Sequence, residues 1–309
     1  VVEALGQLRG RGVKANPSAM SAKTLEAHRA RNLERSFKFI RTQIVPRAVL
    51  IVGAAFFLSP LYWMVVTALK ENTELTAFPP TLLPAHWRFD NFVSAVNEIP
   101  FWVYLKNTVV ITFSSMVGAV FSNVLIAYGF SRIKWPGRDI VFGIVVATIF
   151  IPFPATLLPL FIIFAKLHWI NTFLPLIVPT FFGNAFYIFL LRQFMMQIPL
   201  EISEAARVDG ANEWQIFSRL IVPMSRPAIA VVALFSAIAA WNNFLGPLIY
   251  LNDDSLYPLS IGLQSFRSLH DVKWNLLMAA STLVVLPIIA VFLAFQRAFI
   301  EGITVGSVR

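Results

Sequence analysis

Residues 204–226, Glu-Ala-Ala-Arg-Val-Asp-Gly-Ala-Asn-Glu-Trp-Gln-Ile-Phe-Ser-Arg-Leu-Ile-Val-Pro-Met-Ser-Arg, form a polar island between two long apolar segments. Glu204 to Val208 is good helix-forming sequence, with Ala205 and Ala206 the strongest formers in it. Gly210 can adopt the left-handed backbone that ends a helix, so the first helix is expected to stop there. Asn212 has the chemistry of a helix cap, and Pro223 interrupts the second helix that it starts. Two short helices set between apolar runs predict a compact docking element exposed to water.

The flanking sequence identifies the solvent of the remainder. Of 309 residues 57% are hydrophobic and 13% charged, against about a quarter charged in an ordinary soluble domain. Runs long enough to cross a bilayer, about 20 residues each, extend from Pro46 to Leu69, Asn107 to Phe130, Ile140 to Ala165, Thr172 to Leu191, Pro227 to Leu251 and Leu276 to Ala298. No Asp, Glu, Lys or Arg lies in their interiors; Arg47 and Arg297 stand near window ends. Strands of a membrane barrel alternate polar and apolar residues. These runs are apolar on all sides, so an all-α integral membrane protein with six transmembrane helices is expected. The predicted organisation is a basic tail over residues 1–45, a six-helix domain over 46–301 and a short tail over 302–309. Within the domain, 192–226 is an inner loop and 70–106 and 252–274 are outer loops.

Lysine and arginine placement gives direction. Nineteen of the 25 fall in the N-terminal tail through Arg47, in residues 131–138, in 192–226 and at the C-terminus. The opposite side holds Lys70, Arg88, Lys106, Lys166, Arg267 and Lys273. Both termini and the 192–226 loop are therefore expected in the cytoplasm, and the net charge of +9 reflects topology rather than nucleic-acid binding. Trp102, Tyr104, Trp169, Tyr250 and Trp274 are expected near the outer headgroup layer, and Trp63 and Trp241 between helices. Phe89, Phe92, Val93 and Val96 repeat at helical spacing and predict a short amphipathic helix in the long outer loop. No apolar core precedes Pro46, so a signal peptide is not expected there, and Met20 would make a natural start.

Catalytic chemistry finds little support. There is no cysteine, hence no thiolate metal site or cysteine nucleophile. His28, His86, His168 and His270 are far apart, so no metal is expected. The carboxylates Glu201, Glu204, Asp209 and Glu213 lie on exposed helices, where solvated, unshifted behaviour is the default. No Gly-x4-Gly-Lys-Ser/Thr phosphate loop occurs, so the chain alone is not expected to hydrolyse ATP. Ion-coupled transporters usually carry ionisable groups inside their spans. Here the interiors offer neutral groups, chiefly Asn123, Asn184, Asn242 and Asn243 with Thr148, Thr156 and Thr180. That pattern disfavours ion coupling and fits a neutral solute such as a sugar. The four asparagines can act as interhelical glue or line the passage. Pro152, Pro154 and Pro159 crowd the third run, and kinks there are candidate gating points, or simply static bundle shape.

Glu204, Ala205, Ala206, Gly210 and Pro223 also fall at every spacing of the cytoplasmic EAA loop, and the chain resembles the binding-protein-dependent ABC importer permeases. Leu220 and Val222 replace the family's Ile and Leu without loss of apolar character. Asp209, Ala211, Trp214, Ile216 and Phe217, with Trp241-Asn242-Asn243-Phe244 and the tail from Phe295 to Arg309, resemble the carbohydrate-uptake branch and its MalG-type subunit. The likeness extends over most of residues 46–309. It implies the type I importer permease fold in the cytoplasmic (inner) membrane of a prokaryote. It further implies that Glu204, Ala205, Ala206, Asp209, Gly210 and Pro223 couple to ATPases, and that 252–274 meets a binding protein. Residues 299–309 resemble family tails that reach toward the ATPase dimer. The implied partners are a second homologous permease, two ATP-binding subunits that hold ATP and Mg, an extracytoplasmic sugar-binding protein, the bilayer and the sugar. The chain would need no cofactor of its own. Two other classes remain open on the sequence: an ion-coupled secondary transporter, and a non-transporting membrane anchor or assembly subunit.

Overall fold

The computed structural model describes residues 40–267 and 272–304; the predicted N-terminal tail, apart from its last residues, and the end of the C-terminal tail lie outside them. Two compact units are distinguished, Val1–Tyr62 and Trp63–Arg309. Helix α1, Val45–Ala68, begins in the first. Its apolar side chains there point outward: Leu50 is 71% and Phe57 80% exposed. In water such a surface would be costly, so lipid or protein must cover it.

The second unit is helical, and among the described residues its only β pairing is the isolated bridge between Arg267 and Val272. Helix α2, Asp90–Glu98, is the predicted amphipathic segment. It is fastened by Asn91, whose amide donates to the carbonyls of Ala68 (2.8 Å) and Lys70 (2.9 Å). Helix α3, Phe101–Ser131, is continuous over 31 residues, about 46 Å at 1.5 Å per residue. It begins six residues before the predicted window, at Phe101. Ser115, Gly118, Ala119 and Ser122 are buried along it, a stripe of small side chains that lets neighbouring backbones approach closely.

The third window is not one straight helix. It divides into α4, Arg138–Ala147, and α5, Phe153–Lys166, which with the 3-10 turn after α4 make a pair bent by 100°. Pro152 precedes the second piece and Pro154 sits in its first turn, where the missing N–H costs nothing. These two prolines therefore start a helix instead of kinking one, and only Pro159 lies in a helix interior. The fourth window runs through the turns Leu174–Ile177 and Val178–Phe182 into α6, Ala185–Gln197. Next come α7, Leu200–Val208, and α8, Glu213–Met224, which meets α9, Arg226–Trp241, at 76°. The fifth window is expected to extend to Leu251. Instead α9 ends at Trp241 and a short α10, Leu245–Tyr250, follows. Helix α11, Trp274–Thr304, closes the described chain. Four helices are long and apolar enough to cross a membrane, or up to six when each bent pair is one span.

Three apolar cores hold this unit, and α3 contributes to each. At one end Tyr104 packs with Ile99, Trp241, Phe266 and Ala279; at the other Val124, Ala127 and Tyr128 pack with Leu191, Ile216 and Val232. Between them Ile111 joins Phe164, Leu176 and Tyr250. Tyr104 and Tyr250 are thus core residues, 5% and 4% exposed, while Trp102 is 70% exposed. Trp241 donates its indole N–H to the Val284 carbonyl at 3.2 Å, tying α9 to α11. Trp63, expected between helices, is exposed and carries the Lys70 ammonium 4.9 Å over its ring.

Candidate functional site

The polar island folds as its local chemistry dictates. Helix α7 ends at Gly210, whose φ is +85°, a left-handed conformation that glycine adopts without steric cost. The Ala211 N–H donates to the Ala206 carbonyl (2.9 Å) and the Gly210 N–H to that of Arg207 (3.0 Å), the paired closure of a Schellman turn. Asn212 and Gln215 then exchange side-chain to backbone hydrogen bonds, both 2.9 Å, forming a capping box at the start of α8. Pro223 lies in the last turn of that helix.

Helix α7 has two faces. Ile202 and Ala206 pack against the core of Ile216 and Phe217, and Ser203 is buried. Glu201, Glu204, Ala205 and Val208 are exposed, at the i, i+3, i+4, i+7 spacing of one stripe. Of the two motif alanines Ala205 is exposed on this stripe, whereas Ala206 is half-buried. Asp209 and Gly210 are exposed at the apex. Two large apolar groups flank it, Val208 at 88% and Trp214 at 64% exposure, and the sequence reading had not singled them out as a surface.

A polar relay fastens this turn to α3. The Arg207 guanidinium donates to Glu213 Oε1 at 2.7 Å, and the Tyr128 hydroxyl donates to Glu213 Oε2 at 2.8 Å. The hydrogen bond from Arg207, with a further one from Tyr128, holds the Glu213 carboxyl below the usual carboxylate range against the opposing effect of partial burial. Arg207 is raised by the same partner. The Tyr128 and Phe217 rings meet edge to face, 5.0 Å between centroids.

Two arginines counted above as topological charge prove to be buried. Arg132 donates to the carbonyls of Met195, Ile198 (2.6 Å) and Pro199 (3.4 Å). It thereby satisfies carbonyls that the end of α6 leaves open. Arg192 donates to the Phe130 carbonyl (3.2 Å) and Asp139 (3.4 Å) and lies 4.0 Å over the Phe142 ring. The lead into α7 is thus clamped to the end of α3. Sequence reasoning missed these positions because their partners lie more than 50 residues away.

The four asparagines separate. Asn123 is wholly buried; its amide donates to the Ala119 carbonyl (2.6 Å) and its Oδ1 accepts the Asn184 N–H (2.7 Å). Asn242 is exposed and donates to the carbonyl of Ile238 in its own helix (2.9 Å). Asn184 and Asn243 instead line one cavity of about 320 Å³ with Ser115, Thr180, Tyr187 and Ser236. Gly183, at φ +91°, breaks the chain beside it and lets Asn184 cap α6.

At the opposite end of α3, Asn107 donates to the carbonyls of Ser255 (2.8 Å) and Tyr257 (3.1 Å), and Thr108 Oγ1 accepts the Leu259 N–H (2.8 Å). Asn171 Oδ1 accepts the N–H groups of Asn252 (2.9 Å) and Asp253 (3.0 Å). The 252–267 segment is therefore held from two directions, and Asp253 is kept below the usual carboxylate range by hydrogen bonds from Ser255.

Residues 116–305 match the model of the family described as binding-protein-dependent transport system inner membrane component. The chain is 31% identical over 268 residues to the arabinooligosaccharides transport system permease protein AraQ of Halalkalibacterium halodurans, covering 84% of this chain and 96% of that protein. It is 29% identical over 273 residues to the diacetylchitobiose uptake system permease protein NgcG of Streptomyces coelicolor, covering 87% and 90%. It is also 31% identical over 268 residues to the sn-glycerol-3-phosphate transport system permease protein UgpE of Salmonella typhi, covering 84% and 95%. Among solved structures, a bacterial ABC transporter involved in the import of the acidic polysaccharide alginate superposes with a TM-score of 0.74 at 24% identity, covering 85% of this chain and 98% of that one.

Proposed function

The chain belongs to the binding-protein-dependent transport system inner membrane components, and from that membership we propose how it works. It is a transmembrane permease subunit of a carbohydrate ABC importer, the class to which arabinooligosaccharide and diacetylchitobiose permeases point. It forms half of a translocation pathway and is itself non-catalytic. A second permease forms the other half. Two cytoplasmic ATP-binding subunits supply the energy, and an extracytoplasmic binding protein delivers the sugar. One neighbouring solved structure holds a pentasaccharide-bound periplasmic protein, which supports the last of these partners.

The observation that carries the coupling assignment is the exposed stripe Glu201, Glu204, Ala205 and Val208 on α7, ending in the Gly210 turn. Its inner face is fixed to α3 by the Glu213 relay. A partner that grips the stripe moves α3 with it, because the relay and the clamp of Arg132 leave the turn little independent freedom. Glu204 can accept a charge-assisted hydrogen bond from a cation on the ATPase. The turn then lies in the cytoplasm, and the 252–267 segment at the far end of α3 faces the binding protein. ATP-driven closure of the ATPases rocks the spans between inward- and outward-open states.

The test is reconstitution of the chain with its sister permease, ATPase and binding protein in proteoliposomes. ATP-dependent sugar uptake is expected, with Glu204→Lys and Gly210→Asp abolishing stimulation of ATP hydrolysis by the binding protein. Gradient-driven uptake by the chain without an ATPase would overturn the reading.

A further inference from the structure

The cavity of about 320 Å³ sits where three departures from regular helix meet. The turn Val178–Phe182 and Gly183 precede α6, and the break from Asn242 to Phe244 separates α9 from α10. Non-helical backbone at membrane depth is tolerated where protein buries it or where it lines a cavity. The volume is at the lower end of ligand pockets, about 300–1,000 Å³, with room for a mono- or disaccharide unit.

The chemistry of the lining is specific. Of the thirteen residues around the cavity, Tyr187 alone has a titratable side chain, and no Asp, Glu, Lys, Arg or His is among them. Asn184 Oδ1 accepts the N–H groups of Phe186 (3.0 Å) and Tyr187 (3.2 Å), and Asn243 Oδ1 accepts that of Gly246 (3.1 Å). Those donors fix which end of each amide is oxygen. Each side chain is thereby held by its oxygen, while its NH2 group has no bond to another described residue. The positive end of α6 at this site is already met by Asn184 Oδ1, which reduces its pull on a free anion.

We propose that this cavity is a half-site for a neutral saccharide during passage. The Asn184 and Asn243 amides donate to sugar hydroxyl oxygens there, and a phosphorylated or acidic sugar is disfavoured. A full charge would enter a site with no counter-ion and lose its hydration without replacement. The proposal rests on the importer reading but makes a narrower claim about this subunit: it touches the solute, at named donors, and selects against charge.

Asn184→Asp and Asn243→Asp keep an oxygen where the amide oxygen holds the backbone and replace the NH2 donor by a charged acceptor, so they test together the need for a donor and the site's intolerance of charge. Uptake would be measured in the reconstituted complex with labelled arabinobiose, diacetylchitobiose and maltose, and with glucuronic acid and glycerol 3-phosphate. Assembly of each variant is followed by co-purification of the partner subunits. The expected result is uptake of a neutral sugar by the parent complex, reduced about ten-fold by either change, the scale of one lost hydrogen bond to a polar partner. Because the chain has no cysteine, Ala240→Cys at the lining gives a single reporter. Its reaction with a small hydrophilic thiosulfonate should be slowed by the transported sugar and not by glucuronic acid. Assembled Asp variants that transport normally, a reporter indifferent to the transported sugar, or uptake confined to the acidic probes would each overturn the proposal. Should an Asp variant fail to assemble, the reporter decides. A parent complex that imports nothing on ATP would instead strike at the importer reading itself.

Discussion

Tyr128→Phe isolates one atom of the link between the Gly210 turn and α3. The phenyl ring keeps the edge-to-face contact with Phe217 at 5.0 Å, so only the hydroxyl, 2.8 Å from Glu213 Oε2, is lost. A hydrogen bond to a charged group contributes about 1.5–3 kcal/mol. Glu213 has a side chain 50% exposed, and water takes over part of that role. The net loss is therefore about 1 kcal/mol, about five-fold in the local opening equilibrium. Hydrogen exchange over residues 207–217 in the purified complex reads this directly. The peptide should exchange about five-fold faster in Tyr128→Phe, a change of that 1 kcal/mol size. Glu213→Ala should be faster still, since it also releases Arg207. The double variant should be no faster than Glu213→Ala alone, because the two groups share one bond. Unchanged exchange in Tyr128→Phe, or effects that multiply, would refute the relay.

The same carboxylate sets a pH dependence. With its folded pKa depressed, Glu213 stabilises the turn above the ordinary glutamate range and loses that contribution as pH falls through the lowered value; tryptic cleavage after Arg207 following brief acid pulses should rise only well below pH ~5. Arg132→Ala strips hydrogen bonds from the carbonyls of Met195, Ile198 and Pro199 and should cost about 3 kcal/mol or more in thermal unfolding of the complex. Arg132→Lys should recover only part of that, since an ammonium cannot reproduce the planar fork. Gly210→Ala meets no atom within 4 Å but must hold φ +85°, so it should lose about 1–2 kcal/mol from backbone strain alone. Gly210→Asn should lose less in the same unfolding assay, and an alanine variant as stable as the parent would contradict the turn geometry.

What the sequence disclosed was whatever depends on near neighbours. The turn at Gly210 and the cap at Asn212 are closed by bonds spanning three to five residues, and the amphipathic α2 by its own periodicity. Composition likewise announced the apolar helices. The 100° bend at Ile151–Pro152 was hidden because Pro152 and Pro154 read alike whether they kink a helix or begin one. The end of α9 at Trp241 was hidden by the apolar run that continues past it. The burial of Tyr104 and Tyr250 was not legible because the segments that cover both are distant in the chain. Tyr128, Arg132 and Arg192 had no local signature, as each acts on backbone or carboxylate groups 53–85 residues away.

Helix α3 has no break between Asn107, which grips the 252–267 segment, and Tyr128, which grips the turn. Each added residue in an α-helix rotates all that follows by about 100°. A single insertion near Ser115 would thus swing one grip out of phase with the other while leaving both ends locally intact. Length and azimuth of this one rod are locked together, so evolution can vary its side chains far more freely than its residue count.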